Sequence, residues 1–168
     1  MSKLKTVVVL TGYQFTWLAC VFGEKYFLNI GIYIGLIYLA LYLNFSKNKK
    51  RSLLICSLIA IPGYLFDSMM IYFSVYQFNS SEVIGMLPPW MTILWLSFST
   101  LFDEILVVFK KYQFLGIIFS IILGPLTYYL GEPIGVISIN EFLFFFIFMI
   151  LFWFLLMIYY QRIILKYF

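Results

Sequence analysis

The chain has 168 residues, of which 64% are hydrophobic and 11% are charged, and its formal net charge is +4. Soluble domains carry roughly 25% charged and 45–50% apolar residues, so this composition excludes a soluble fold and indicates that lipid is the main solvent. The sequence has no histidine, the commonest catalytic acid/base and metal ligand, and we interpret the positive charge as a topology signal instead of a nucleic-acid surface.

Charged residues interrupt the apolar sequence at regular distances, and each helix that crosses a hydrocarbon core needs about 20 apolar residues. The pattern predicts an all-α bundle of about six transmembrane helices with short connections, in a single transmembrane domain over residues 1–168. The predicted spans cover residues 6–23, 26–45, 52–76, 88–109, 112–131 and 142–161.

The first predicted span follows a basic segment and has some features of a signal peptide. Ala19-Cys20 suggests a lipoprotein site, but Trp17-Leu18 precedes it and no A-x-A cleavage pattern follows. We therefore predict a retained anchor. Cys20 and Cys56 lie roughly 15 Å apart in predicted depth, further than the roughly 7 Å that a disulfide permits, so we expect two buried thiols.

Asp67 is the sharpest candidate for chemistry, because it lies well inside the third predicted span. A carboxyl near the centre of a membrane helix costs about 2.5–3.5 kcal/mol on insertion scales, so we expect it to face the bundle or a wet cavity. Two interpretations stay open. Asp67 is either a proton carrier, ligand contact or catalytic acid, or it is an interhelical hydrogen-bond clamp.

The fourth predicted span carries a polar stripe, with Trp95, Ser99 and Asp103 at helical spacing and Glu104 beside them. The two adjacent carboxylates either snorkel or pair with Arg51 or the lysines that follow the span, or they line a vestibule that faces the cytoplasm. The third-span and fourth-span carboxylates differ in depth by roughly 13 Å, so we do not expect a carboxylate dyad.

Pro62 and Pro125 lie inside the third and fifth spans at similar depth. A proline leaves one carbonyl without its donor and kinks the helix, so two such helices can splay apart and leave a pocket. Asp67, Thr127 and Tyr128 would lie in that outer half of the bundle. The alternative is that the prolines only shape the helices.

Residue size distinguishes the remaining helix faces. Small residues in the second and fifth spans predict close packing. These are Gly31, Gly35, Gly116, Ser120 and Gly124. Aromatic residues surround the sixth span, which predicts a lipid-facing helix or a partner contact. They are Phe142, Phe144, Phe145, Phe146, Phe148, Phe152, Trp153 and Phe154.

Basic residues predict the orientation, since they concentrate on the cytoplasmic side of membrane proteins. With six spans, every Lys and Arg except Lys25 falls on one side. That side holds Lys3, Lys5, Lys47, Lys49, Lys50, Arg51, Lys110, Lys111, Arg162 and Lys166. We therefore predict a multi-pass protein of a bacterial inner membrane with both termini in the cytoplasm.

Two motifs occur in order along the chain: P-P-W-M at 88–91 with L-W-L-S-F-S-T at 94–100, and G-P-L-T-Y-Y-L-G at 124–131. They resemble an uncharacterised family of small bacterial inner-membrane proteins, a domain of unknown function, and the resemblance covers most of the chain, including residues 63–67. It implies genes often encoded beside cyclopropane-type fatty-acid synthases and flavin-dependent oxidases, and a role in modifying or handling membrane lipid. The family pattern leads us to expect an Asn-His type pair where this chain has Asp103-Glu104, a departure that weakens any catalytic role there.

Three hypotheses follow. The first is an enzyme or accessory of phospholipid acyl-chain modification, with Asp67 as catalytic acid/base or ligand contact. The second is a small proton-coupled transporter with Asp67 as carrier, as a homo-oligomer. The third is a non-catalytic subunit that docks a partner, such as a lipid-modifying enzyme, through residues 47–51 and the sixth helix.

The candidate sites and ligands complete these expectations. The predicted pocket residues are Trp95, Ser99, Thr127 and Tyr128, with Asp103 and Glu104 as a secondary polar site. Membrane lipid is the predicted ligand. Nucleic acid, metal ions and cofactors are not predicted, because the sequence lacks Cys/His metal spacing, a Walker-type loop, an H-E-x-x-H motif and a G-x-S-x-G elbow.

Overall fold

The computed structural model describes residues 3–26 and 30–167, with side chains described at 5–23 and 30–167. Its long helices are α1 (Lys3–Tyr26), α2 (Ile30–Phe45), α3 (Lys49–Tyr72), α4 (Pro89–Glu104), α5 (Gln113–Tyr129) and α7 (Phe142–Tyr159). Its short elements are β1 (Tyr76–Phe78), a 3-10 helix (Leu106–Lys110), α6 (Gly131–Ile134), β2 (Ile137–Ile139), a π-helical turn (Tyr160–Ile164) and α8 (Leu165–Tyr167). The start of the second predicted span and the side chains of Lys3 and Lys25 lie outside the described residues.

Four described helical segments are long and apolar enough to cross a membrane. They are Lys5–Gly23, Lys49–Tyr72, Gln113–Ile134 and Phe142–Tyr167. The helix α2 is apolar but shorter, and α4 has 16 residues and is not among the four. The predicted all-α class is confirmed, and the helices are compatible with an integral membrane protein. The number of six crossings stays a prediction.

The helix α4 occupies the centre of the bundle. It packs against α1, α2 and α3, and 10 of its 16 residues are buried. The helices α5 and α7 form a second packed group beside this one. A helix surrounded by other helices needs little lipid-facing apolar surface, which explains why the polar stripe of α4 is tolerated.

Two stacked tryptophans join the two groups of helices. The rings of Trp95 on α4 and Trp153 on α7 lie 5.8 Å apart, centroid to centroid, with 22° between their planes. Each indole fits against a glycine of another helix, since a Cβ on Gly63 would meet Trp95 ring carbons at 2.4 Å and one on Gly124 would meet Trp153 at 2.3 Å. The stack therefore runs from α3 through α4 and α7 to α5.

A left-handed residue ends α3 and reverses the chain. Ser74 has φ 56°, its amide bonds Ile71 O at 2.9 Å, and the amide of Val75 bonds Met70 O at 2.9 Å. This is the Schellman arrangement, in which glycine usually holds the left-handed position. The third predicted span extends to residue 76, so its end is wrong by one helical turn.

After this reversal, β1 pairs with β2 in a two-stranded antiparallel sheet that the sequence did not predict. Tyr76 pairs with Ile139 and Phe78 with Ile137. The sheet joins the end of α3 to the segment before α7. Tyr76 and Ile137 are buried, so the sheet covers the core at the end where α3 stops.

The smaller packing predictions can be compared with the structure. A Cβ on Gly31 would lie 2.5 Å from the Cα of Cys20, which confirms close contact between α1 and α2. Both cysteines are buried thiols, as predicted. The sixth predicted span has an exposed side and a buried side, because Phe142 is exposed while Phe145 and Trp153 lie in the core. A lipid or partner contact of the exposed side stays a prediction.

Candidate functional site

Asp67 lies at the meeting point of four elements and is fully buried. Tyr76 of β1 donates to its Oδ1 at 2.5 Å, and the Trp95 indole of α4 donates to its Oδ2 at 2.6 Å. The Tyr128 hydroxyl of α5 lies 3.0 Å from both oxygens. Every donor is neutral, so hydrogen bonds and not an opposite charge hold this carboxyl group in the core.

Local structure explains how these donors reach the carboxyl. Gly63 and Asp67 are four residues apart and share one face of α3. Because Gly63 has no side chain, the Trp95 indole lies flat on α3 and its N–H reaches the carboxyl one turn further along. The left-handed Ser74 turns the chain back, which brings Tyr76 alongside the same helix.

Tyr76 lies outside the helices, at the buried end of β1. Burial and the neighbouring Asp67 carboxyl raise the pKa of Tyr76 well above that of an exposed phenol. Its hydroxyl therefore keeps its proton at physiological pH and acts as a donor.

A cavity of about 630 Å³ lies beside this carboxyl. Residues of α1, α4, the 3-10 helix, α5, α6, α7 and both strands line it. Along α5 its lining runs from Gly116 to Tyr128, which corresponds to about 18 Å of helical rise. The wall is mostly aliphatic and aromatic, so the cavity is a long apolar slot.

The walls of this cavity differ from those of the predicted pocket. One of the two alternatives from the sequence was a pocket between the proline-containing third and fifth helices, but no residue of α3, which is fully described, lines the cavity. Both α3 and α5 continue through their prolines as single helices. The glycines beside the two prolines each pack against a tryptophan ring of another helix, Gly63 against Trp95 and Gly124 against Trp153.

A second polar cluster lies at the other end of α4. Asp103 accepts hydrogen bonds from Arg51 at 2.5 Å, Tyr42 at 2.6 Å and Ser52 at 2.7 Å. Glu104 forms an ion pair with Lys5. These contacts tie the ends of α1, α2, α3 and α4 together and leave Asp103 only 5% exposed. The pairing alternative named Arg51 as a partner but not Lys5.

The structure brings together some of the predicted site residues. Asp67, Trp95 and Tyr128 form one hydrogen-bonded group, and the last two also line the cavity. Thr127 lines the cavity but donates to Gly124 O at 2.7 Å. Ser99 is buried outside the cavity and donates to Leu96 O at 2.6 Å.

Sequence reasoning missed Tyr76 as a member of this group. A helix extended to residue 76 would place Tyr76 half a turn away from Asp67 in direction and about 13 Å along the axis. The signal for the actual arrangement is the break before it, but Ser74 is a weak marker for a left-handed residue compared with glycine.

Fold and site together define a helical protein of membrane-compatible character, with a hydrogen-bonded internal carboxyl beside an apolar cavity. The chain belongs to the family described as "Protein of unknown function (DUF2878)", whose model matches residues 6–159. The predicted membership of a family of unknown function is thereby confirmed. Comparison with curated proteins and with solved structures found no match.

Proposed function

We propose that the protein holds the apolar chain of a membrane lipid in this cavity, as a component that handles or modifies phospholipid acyl chains. The single observation that carries the proposal is the cavity itself, with its volume of about 630 Å³ and its apolar wall. Ligand sites in proteins occupy roughly 300–1,000 Å³ and are mostly apolar. The slot also runs lengthwise along α5. This direction suits a bound acyl chain that lies parallel to the acyl chains of the surrounding bilayer.

The proposal places the bundle in a bacterial inner membrane with six crossings and both termini in the cytoplasm. The helix α4 rises about 24 Å, short of the roughly 30 Å hydrocarbon core, and the 3-10 helix adds about 10 Å. The ion pairs of Lys5 and Arg51 with the end of α4 support a common side for the first basic segments.

In this proposal Asp67 positions the cavity wall. Its carboxyl does not line the cavity, and both of its oxygens already accept hydrogen bonds from the donors around it. Tyr128 lies between the carboxyl and the cavity, so Asp67 acts on a bound lipid through the Tyr128 hydroxyl, and any acid/base role passes through that hydroxyl too.

The cavity favours lipid handling over proton-coupled transport. A carboxyl that carries protons across a membrane needs a wet path, and the mostly apolar lining of the cavity provides water with few hydrogen-bond partners. Docking of a partner protein through residues 47–51 and α7 stays a prediction.

Narrowing the cavity tests the proposal. Leu123→Trp places a large ring at the cavity wall. Ile122→Trp places the same ring on the preceding residue of α5, which does not line the cavity. Both native side chains are about half exposed, at 51% and 55%. We expect native mass spectrometry of the purified proteins to show several-fold less retained lipid for Leu123→Trp only. Equal retention by the two variants would overturn the proposal.

A further inference from the structure

The loop between β1 and α4 folds back along the side of α3. The hydroxyl of Tyr64 on α3 donates to Ile84 O at 3.1 Å, and a Cβ on Gly85 would lie 3.0 Å from the same hydroxyl oxygen. Tyr64 precedes Tyr72, the last residue of α3, by eight residues, which corresponds to about 12 Å of helical rise. Aromatic side chains on a helix lean toward its N-terminus, so the phenol does not reach toward the Tyr72 end. The turn at Ile84 therefore lies about 12 Å inside the end of α3.

The end of α3 has the features of a membrane interface. Tyr72 and Phe73 are both exposed, with ring centroids 5.3 Å apart, and exposed aromatic residues concentrate at the headgroup level of membrane proteins. At the level of Tyr64, the next side chain, Leu65, is 56% exposed on a segment that is apolar enough to cross a membrane. The medium around α3 at that level is then the acyl region, and the turn at Ile84 lies in the same medium.

The exposed side chains of this turn are apolar. Val83, Ile84 and Met86 are 56%, 67% and 39% exposed, and together they form the tip of the loop. Glu82 is the one charged residue of the sequence 79–88, and it precedes the tip together with two serines. Neighbouring exposed apolar side chains mark an interaction surface. The order of the residues suits a loop whose first half stays with the headgroups while its tip contacts acyl chains.

Local hydrogen bonds satisfy the backbone of the loop. The Ile84 amide donates to Leu87 O at 2.9 Å, while Ile84 O accepts the Tyr64 hydroxyl. The Ser80 hydroxyl donates to Glu82 O at 3.0 Å, and the Glu82 amide donates back to Ser80 Oγ at 3.4 Å. Lipid offers no water to backbone groups, so irregular backbone can approach the acyl region only when other partners are supplied. The loop meets that requirement at the residues that lie deepest.

We propose that residues 80–87 form a membrane-inserted loop whose tip, Val83, Ile84 and Met86, binds the boundary between headgroups and acyl chains in the leaflet at this end of the bundle. Apolar faces of other interfacial segments lie about 5–10 Å into this boundary, close to the depth set by the contact with Tyr64. The inference depends on the membrane position of α3 and not on the cavity, so it is tested separately from lipid handling.

Spin labels at matched positions test the inference. The full-length protein carries Ile84→Cys, Leu65→Cys or Lys50→Cys, is labelled with a nitroxide, and is reconstituted in vesicles of phosphatidylethanolamine and phosphatidylglycerol. Both native cysteines are buried, so they take up little label. Power-saturation electron paramagnetic resonance then measures collisions with oxygen, which concentrates among acyl chains, and with a nickel chelate, which stays in water.

We expect the oxygen-to-nickel collision ratio of Ile84→Cys to be close to that of Leu65→Cys, the lipid reference at the same level of α3. It should be several-fold above that of Lys50→Cys, the exposed water reference. The contact with Tyr64 uses the backbone of Ile84, so the cysteine leaves it in place. Val83→Cys repeats the measurement at a second position of the tip.

Three results would overturn the inference. A ratio at both tip positions that matches Lys50→Cys would place the loop in water. Few collisions with either reagent would mean that protein and not lipid covers the tip. A water-like ratio at Leu65→Cys would remove α3 from the bilayer, and the loop with it.

Discussion

At the scale of single residues, Asp67 is held by hydrogen bonds from three different elements. Three neutral donors from β1, α4 and α5 occupy its two oxygens, and the residue is fully buried. A carboxyl with this many acceptor sites suits the arrangement, because an amide or hydroxyl offers fewer acceptors. The clamp interpretation and the functional interpretation of Asp67 therefore share the same geometry.

Asp67→Asn keeps the side-chain shape but replaces one acceptor oxygen with an NH₂ group. At least one of Tyr76, Trp95 and Tyr128 then faces a donor in place of an acceptor, and leaving a buried polar group unpaired costs about 1–3 kcal/mol. We expect a lower midpoint in thermal unfolding followed by circular dichroism in detergent.

Glu141→Gln is the matched control for that variant. It makes the same change of carboxylate to amide at an exposed position, so it should leave the midpoint unchanged. If Asp67→Asn unfolds at the same temperature as the unaltered protein, the hydrogen-bonded group around Asp67 does not contribute to stability.

The convergence of Asp67, Trp95 and Tyr128 was predictable in part, because depth along a helix follows from counting residues. Tyr76 was not, since its position depends on the left-handed Ser74 and on a strand pairing with residues about 60 positions later.

At the scale of elements, the bundle depends more on close packing at glycines than on proline kinks. We call a glycine that receives an aromatic ring of another helix a glycine notch. The two tryptophan rings of the stack each lie flat on the backbone of a neighbouring helix, at Gly63 and Gly124. The sequence correctly marked the small residues of α5 as packing positions. It could not show which aromatic side chain would fill each notch, since that depends on how the helices are arranged around α4.

Gly63→Ala tests this notch. The new Cβ would meet the Trp95 ring at about 2.4 Å, and the stack on Trp153 leaves that indole little room to move. Overpacking of a filled core costs about 1–3 kcal/mol, so we expect a lower unfolding midpoint and a changed near-ultraviolet circular dichroism signal from the tryptophans.

Ile61→Ala serves as the comparison for the notch variant. It lies on the same helix with 58% of its side chain exposed, so its truncation should leave the tryptophan signal unaltered. A normal tryptophan signal in Gly63→Ala would mean that the stack does not depend on the notch.

At the scale of the whole molecule, the apolar runs predicted six helices, and the structure has six long helices in those places. Two ion pairs, Lys5–Glu104 and Arg51–Asp103, join α1, α3 and α4 at one end of the bundle. This agrees with the prediction that the basic residues near these helix ends lie on one side. Trp95, Thr127 and Tyr128 of the predicted pocket line the cavity, but α3 does not. Which helix faces adjoin depends on tertiary packing and not on the pattern within one helix.

Cysteine labelling tests the proposed orientation. The native cysteines are buried, so they give little background. We expect a membrane-impermeant maleimide to label Ser81→Cys on intact spheroplasts, and to label Lys50→Cys only after the membrane is opened, since the two exposed positions lie on opposite sides of the proposed bundle. Labelling of both positions without opening would rule out the six-crossing arrangement.

The hydrogen-bonded group around Asp67 has a consequence for synthesis. The donors Tyr76, Trp95 and Tyr128 follow the acid by 9, 28 and 61 residues along the chain. In a chain that enters the bilayer segment by segment, α3 must therefore insert before two of its carboxyl's three partners have been made. The segment Lys49–Tyr72 has a mean hydropathy of 1.8, which favours insertion despite its buried acid, and the last partner is made only with α5. Truncation before α5 would therefore leave a nascent bundle in which the Asp67 carboxyl lacks its Tyr128 donor.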